Sequence, residues 1–277
     1  MKAWLNGELL ESPHDPAVSV LDHGIVVGDG VFETAAVVDG RPFALTRHLE
    51  RLATSAEGLG IDRPDLDLVR EGVEATLAGQ ELPFGRVRIT VTSGAGPLGS
   101  PRGDSGLTHI VVTEPAERPP AVSSIVTVPW TRNERGPLAG LKTTSYAENA
   151  KMVEYARARG ASEAVMANTL GQLCEGTGSN VMYVVDGQIV TPTLASGCLA
   201  GITRALALEW LADELDVLER DAPLEVLFEA DEVMLVGTTR TIQAIGRVDD
   251  REVPAPGPIT LRAQEIWRAR EAEDMDP

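Results

Sequence analysis

Leu141-Lys142-Thr143-Thr144-Ser145-Tyr146 lies near the middle of a 277-residue chain that hardly uses lysine. Lys2, Lys142 and Lys151 are its three lysines, and the other cationic side chains are arginines apart from a few histidines. A guanidinium stays protonated and is a poor nucleophile, whereas a partly buried lysine amine can lose its proton and attack a carbonyl. A lysine kept among small and hydroxyl residues therefore points to amine chemistry. Taken alone it reads more readily as a solvated loop lysine, and the flanking sequence has to decide.

The totals exclude several classes. Apolar content of 43% and charged content of 24% are those of an ordinary soluble globular protein, long enough for one or two domains with ample core. The net charge of −18 has the wrong sign for a nucleic-acid partner, and an anion would have to bind at a local site. Cys174 and Cys198 show no metal-ligand spacing, and a reduced, cytoplasmic setting is expected. No stretch is long and apolar enough to span a membrane, and residues 1–7 lack a signal-peptide core.

Towards the N-terminus, residues 3–10 read as a hairpin turning at Asn6-Gly7, and residues 22–30 (DHGIVVGDG) as a glycine-rich loop. Residues 31–38 form a strand that turns at Asp39-Gly40. Thr46 suits the N-cap of a helix through Leu59, ended by Gly60. Its apolar stripe is Leu49, Leu52, Ala53 and Ala56, and His48 and Arg51 share a face. A second helix is expected over 64–78. Residues 86–92 alternate, with Val87, Ile89 and Val91 on one face and Arg86, Arg88, Thr90 and Thr92 on the other. That second face is either solvated or anion-binding. Residues 93–105 are expected to be a mobile loop and residues 107–113 a strand. The proline-rich run 114–120 divides the chain into residues 1–117, a linker over 118–122, and residues 123–277.

Towards the C-terminus come a strand at 124–128, a loop with Trp130, Arg132 and Arg135, a helix at 148–159 and a strand at 163–167. A further strand over 172–185 is interrupted at 175–179 (EGTGS). The loop from Thr191-Pro192 to Gly201 leads into a helix with Leu206, Trp210 and Leu215 inward. A strand at 231–236 turns at Gly237-Thr238-Thr239 and pairs back through 241–245. Pro258 opens a last helix, and the acidic tail after Arg270 is expected to fray.

Three features converge with Lys142. Gly201-Ile202-Thr203 opens a helix, where free N–H groups and the helix dipole favour an anion. Gly237-Thr238-Thr239 offers a small turn with two hydroxyls. Glu175 stands at a strand break, where a fixed carboxylate could meet a heterocyclic nitrogen. Singly these read as an ordinary N-cap, a polar turn and a solvated acid. Together, an amine, phosphate-binding segments and a fixed carboxylate are what pyridoxal phosphate requires.

The chain resembles the fold type IV pyridoxal-phosphate enzymes. That family holds D-amino-acid transaminases, branched-chain L-amino-acid transaminases, (R)-amine transaminases and 4-amino-4-deoxychorismate lyases. The resemblance runs through Gly28-Asp29-Gly30-Val31-Phe32-Glu33, His48-Leu49-Glu50-Arg51-Leu52, Leu141-Lys142, Glu175-Gly176 with Ser179-Asn180, Gly201-Ile202-Thr203-Arg204 and Gly237-Thr238. It implies an α/β (α+β) fold like that of D-amino-acid aminotransferase. Such a fold has a small N-terminal domain and a larger C-terminal domain built on a β-barrel-like sheet. It further implies pyridoxal 5′-phosphate lying between the domains, and a homodimer. By position, Lys142 would be the Schiff-base lysine and Glu175 the partner of the pyridine nitrogen. Arg51, Ile202, Thr203 and Thr238 would hold the phosphate.

Within the family, Glu175-Gly176-Thr177-Gly178-Ser179-Asn180 is more similar to the transaminases than to the lyases. D-amino-acid transaminases carry an arginine and a histidine after the central strand; here Ser93 stands at the arginine's place. Arg88 resembles the arginine that some branched-chain transaminases carry on that strand, with Arg86 and Arg102 as other candidates for the substrate carboxylate. Phe32 and Thr239 would line the substrate. The expectation is a transaminase moving an amino group between a D-amino acid and a 2-keto acid, with tolerance for (R)-amines. The lyase is its first rival and branched-chain L-transamination its second.

Overall fold

The computed structural model describes residues 1–277. By their contacts they fall into two units: Met1–Arg118 with Leu141–Tyr146 and Met275–Pro277, and Pro119–Gly140 with Ala147–Asp274. The main crossing thus follows Arg118, but residues 141–146 and 275–277 depart from the expected division at 118–122. The reason is backbone pairing: Phe32 N–H donates to Lys142 O (2.9 Å), Thr144 N–H donates to Gly30 O (2.8 Å), and Val31 bridges Thr143. The lysine stretch is a segment bridged to the first unit by these bonds.

The first unit is one six-stranded antiparallel sheet of β1 (Lys2–Leu5), β2 (Glu8–Leu9), β3 (Gly30–Val38), β4 (Arg41–Pro42), β5 (Phe84–Thr92) and β6 (Thr108–Pro115), in the order β2-β1-β6-β5-β3-β4. The period-two alternation of β5 decides its faces. Val87, Ile89 and Val91 join Val31, Ala35 and Val37 of β3 against Leu49, Leu52, Ala56, Val69 and Val73. The last five belong to helices α2 (Leu45–Leu59) and α3 (Leu66–Leu77), which follow the short α1 (His23–Val26). Phe32, Arg86, Arg88 and Thr90 therefore stand on the face turned away from α2 and α3.

Three local expectations change. The glycine-rich loop contains α1, because the Asp22 carboxylate caps it by accepting from Gly24 N–H (2.8 Å). Helix α2 starts at Leu45 behind Ala44, whose left-handed backbone offers no side-chain cap. Thr46 is inside the helix, and the chain's own tail caps it. Asp276 accepts from Thr46 N–H (2.8 Å) and from its hydroxyl (2.6 Å), and Ala44 N–H donates to Met275 O (2.7 Å). The acidic tail expected to fray is pinned at its end. Asp276→Ala should lower stability by about 1 kcal/mol, the usual cost of losing an N-cap acceptor. Thermal unfolding checks this; an unchanged midpoint would show the cap to be dispensable.

The loop over 93–105 is also held down. Arg102 forms a bidentate pair with Asp29 (2.7 and 2.8 Å) and donates to Leu59 O (3.0 Å) and Gly60 O at the end of α2. This pairing holds the Asp29 carboxyl below its ordinary range.

The second unit has a nine-stranded sheet: β7 (Val122–Thr127), β8 (Glu163–Ala167), β9 (Leu173–Gly176), β10 (Asn180–Val185), β11 (Gln188–Thr191), β12 (Val217–Glu219), β13 (Glu232–Gly237), β14 (Thr241–Val248) and β15 (Arg251–Glu252). The order is β12-β11-β10-β13-β14-β7-β8-β9, with β15 on β14. β9 and β10 lie well apart along that order, yet three residues join them and Gly176 N–H donates to Ser179 O (2.8 Å). The sheet must curl to bring them together, which makes it barrel-like. Ile125, Val165, Leu173, Val181, Leu235 and Ile245, from six different strands, fill one shared core. Helices α4 (Ala147–Arg157), α5 (Ile202–Leu211) and α6 (Pro258–Glu273) complete the unit. Leu215 falls outside α5, and Trp210 packs on Trp267 of α6 with ring centroids 4.8 Å apart. No helix is long and apolar enough to cross a membrane.

Candidate active site

Strand parity places Glu33 opposite to Phe32. It points towards α2, fully buried, in a sheet-to-helix core that is otherwise apolar. An isolated carboxylate there would be very costly, and α2 supplies its partners one turn apart. Arg51 Nε donates to Glu33 Oε1 (2.7 Å) and Arg51 Nη2 to Oε2 (2.8 Å), while His48 Nδ1 lies 2.7 Å from Oε2. Burial alone would raise the Glu33 carboxyl; the charge and hydrogen bonds of Arg51 and the His48 bond outweigh it and bring it down to about 2. Burial pushes His48 below its ordinary value, so the ring is neutral and Nδ1–H is the donor to Glu33. Arg51 is the expected phosphate ligand. Glu33 takes two of the five guanidinium N–H donors and fixes their plane.

The same helix reaches the lysine. Ser55 Oγ accepts from Lys142 N–H (3.2 Å). The half-buried Lys142 amine lies 4.3 Å from the centroid of the Phe32 ring, and Arg88 Cζ lies 3.6 Å from that centroid. Tyr146 meets Phe32 edge-on at 5.1 Å. Phe32 and Arg88 share a sheet face because Thr34 pairs with Arg88 and Phe32 with Thr90. The three candidate arginines now separate. Arg86 pairs with Glu114 across the sheet (2.5 Å), and Arg102 is committed to Asp29. Arg88 has no carboxylate partner; its hydrogen bond is a long one to Thr90 Oγ1 (3.4 Å). Two cations over one aromatic ring repel each other, and an anion placed between them would relieve that repulsion.

In the second unit, Glu175 ends β9 and is nearly buried. Its Oε1 accepts from Arg132 Nη2 (3.1 Å) and its Oε2 from Leu199 N–H (2.9 Å). Charge and backbone together fix this carboxylate in one orientation. Asn180 braces the same loop by donating to Leu199 O (2.9 Å). Gly201 then caps α5 without any side-chain acceptor, and the first turn holds no acid, so the buried Ile202 and Thr203 begin an open helix start. A Cβ at 201 would lie 1.9 Å from Asn180 Oδ1, so glycine leaves room for the side chain that braces the loop. Such a start favours an anion. Thr238 and Thr239 are half-buried in the turn from β13 to β14. Cys174 and Cys198 pack in an apolar cluster with Val126, Met152 and Met166, and burial pushes both thiols up.

The structure therefore groups Phe32, Arg51, Arg88 and Lys142 in the first unit, and Glu175, Ile202, Thr203, Thr238 and Thr239 in the second. Glu33, Arg132 and Glu163 received no site role in the sequence reading. For Glu33 a signal existed: it alternates with Phe32, and His48 and Arg51 stand three apart on the facing helix. Arg132 and Glu163 leave no such local trace.

Residues 30–248 match the sequence model of the amino-transferase class IV family. The chain belongs to that family. A putative branched-chain-amino-acid aminotransferase of Methanocaldococcus jannaschii is 33% identical over 97% of this chain and 96% of that protein. A D-alanine aminotransferase of Staphylococcus epidermidis is 29% identical over 95% of each. Among solved structures, a hypothetical aminotransferase from Mycobacterium tuberculosis in its PLP-bound form is 28% identical. It covers 97% of this chain and 98% of that one, with a TM-score of 0.87. Class IV aminotransferases use pyridoxal phosphate. Each unit carries donors that suit that group: a half-buried amine in the first, and in the second a carboxylate fixed by a cation and a backbone N–H, an uncapped helix start and turn hydroxyls.

Proposed function

We propose that this aminotransferase moves an amino group between an amino acid and a 2-keto acid through pyridoxal phosphate held by Lys142. The observation that carries the proposal is the Phe32 ring, over which the Lys142 amine and the unpaired Arg88 guanidinium both lie. An amine beside a cation that has no carboxylate of its own fits an amino-acid substrate better than an uncharged amine.

Pyridoxal phosphate, when bound, supplies an electron sink for the carbon attached to the amine. Lys142 would hold the cofactor through its amine, and the same amine would serve as the base that moves the proton at the substrate Cα. Glu175 would face the pyridine nitrogen and favour its protonated form. Arg51, Ile202, Thr203 and Thr238 would hold the phosphate, and Arg88 would take the substrate carboxylate, with Phe32 and Thr239 lining the substrate. Glu175→Gln should retain cofactor and slow turnover on the order of a hundredfold, the scale of a positioned proton-transfer group. Unchanged kcat would remove Glu175 from the reaction.

A D-amino acid is the donor we place first, in line with the D-alanine aminotransferase relative and with a carboxylate held only by Arg88. Branched-chain L-amino acids are the second reading, favoured by the position of Arg88 on the central strand β5 and by the archaeal relative. Spectroscopic titration of the holoenzyme with D-alanine and, in parallel, L-leucine tests both. Conversion of the cofactor to its amine form by D-alanine supports the first reading, and conversion by L-leucine alone supports the second. No conversion by either amino acid would contradict both and bring forward the aminodeoxychorismate lyase.

A homodimer in a reducing cytoplasm belongs to the same proposal. Cys174 and Cys198 are free thiols. The exposed Val20, Ile25 and Leu98 are apolar surface that a second copy would cover.

A further inference from the structure

We propose that Glu163 is a positioning residue that locks the Glu175 strand break to the Thr238 turn and so holds the phosphate-binding turn in place. This deepens the cofactor reading above and rests on it.

Glu163 opens β8 and is almost wholly buried. Its side chain leaves its own strand and enters the connection between β9 and β10. Oε1 accepts from Gly178 N–H (2.8 Å) and from the Ser179 hydroxyl (2.7 Å). Oε2 meets Arg240 Nη2 at 2.7 Å. Gly178 and Ser179 follow Glu175 on one chain segment, and Arg240 follows Thr238 and Thr239 on the other. One carboxylate thus joins the two.

The surrounding glycines are fitted to that carboxylate. A Cβ on Gly176 would lie 2.5 Å from Glu163 Oε1 and 2.7 Å from Ser179 Oγ. A Cβ on Gly237 would touch Gly178 O at 3.5 Å and Ser179 Cβ at 3.6 Å, so the turn packs directly on the strand break. Arg240 is held from its other nitrogen by Gln243 Oε1 (2.5 Å), and Gln243 Nε2 donates to Pro120 O (2.6 Å). Arg240 is a half-buried cation at a turn proposed to meet a phosphate. Its ion pair with Glu163 sets where that cation stands. Without the carboxylate the cation and the turn lose their fixed reference.

The chemistry separates the two arms. In Glu163→Gln the amide oxygen can still accept from Gly178 and Ser179, but the amide nitrogen faces Arg240 as donor against donor. Arg240→Met breaks the same contact from the less buried side and carries the test if the first variant does not fold. The measurement is the dissociation constant of the purified apoprotein for pyridoxal phosphate and for pyridoxal, which lacks the phosphate, beside thermal unfolding. Wild type should bind pyridoxal phosphate the more tightly. Each variant should weaken pyridoxal phosphate by roughly tenfold to hundredfold, as for other outer-layer contacts, and leave pyridoxal within about twofold. The double variant should be no worse than either single one. A folded variant whose two affinities are unchanged, or fall equally, overturns the positioning role. A wild-type protein that binds no pyridoxal phosphate overturns both this role and the cofactor reading.

Discussion

Lys142→Ala should abolish transamination while leaving the fold in place. The backbone contacts of this residue do not involve its amine: its carbonyl accepts from Phe32 N–H and its N–H donates to Ser55 Oγ. Removal of a half-buried aliphatic stem should leave these backbone bonds intact. What would be lost is the amine proposed to hold the cofactor and to move the Cα proton. General-base catalysis alone contributes about 10²–10⁴-fold, so turnover should fall to background. Lys142→Arg should be as inactive, because a guanidinium keeps the charge but does not deprotonate. Steady-state rates beside circular dichroism check both variants. Substantial activity in a folded Lys142→Ala protein would refute the assignment.

Glu33→Gln, although conservative in shape, should be strongly destabilising. Glu33 is fully buried, and its charge is matched by Arg51 with a hydrogen bond from His48. Removing one partner of a buried pair strands the other and costs about 3–5 kcal/mol. The carboxyl brought from 4.5 down to about 2 implies a similar size, on the order of 3 kcal/mol. The pH dependence has a definite sign. A depressed carboxyl gives stability that is full above pH 4.5 and is lost as pH falls towards 2. His48 acts in the same direction. Its buried ring resists a proton that the unfolded chain takes up below about pH 6.5, so acid also favours unfolding there. Wild type should therefore lose stability progressively below pH 6.5. Glu33→Gln should start lower and lack the steep loss below pH 4.5. Thermal midpoints across that range check this, and coincident curves for the two proteins would contradict it. Phosphate binding by Arg51 should weaken in the same variant, since Glu33 fixes the plane of its guanidinium.

Much of this was legible as local pattern. The alternation over 86–92 gave the central strand and its two faces, and helix α2 was readable from its apolar stripe and Gly60. The scarcity of lysine marked Lys142, and glycine before a hydroxyl-bearing helix marked the start of α5. What stayed hidden depends on contacts that no local period records. Asp276 caps α2 from 230 residues away, and Arg102 closes on Asp29 across 73. The placement of Lys142 with the first unit follows from pairing with β3, which its own sequence does not announce. Arg86, Arg88 and Arg102 looked alike in sequence. Only their partners, Glu114 for the first and Asp29 for the last, leave Arg88 as the one of the three without a carboxylate.

Reduction of the holoenzyme with borohydride, followed by peptide mapping, tests the central claim most directly. A pyridoxyl group is expected on the peptide that contains Lys142 and on neither Lys2 nor Lys151. A modified Lys2 or Lys151 with an unmodified Lys142 would contradict it.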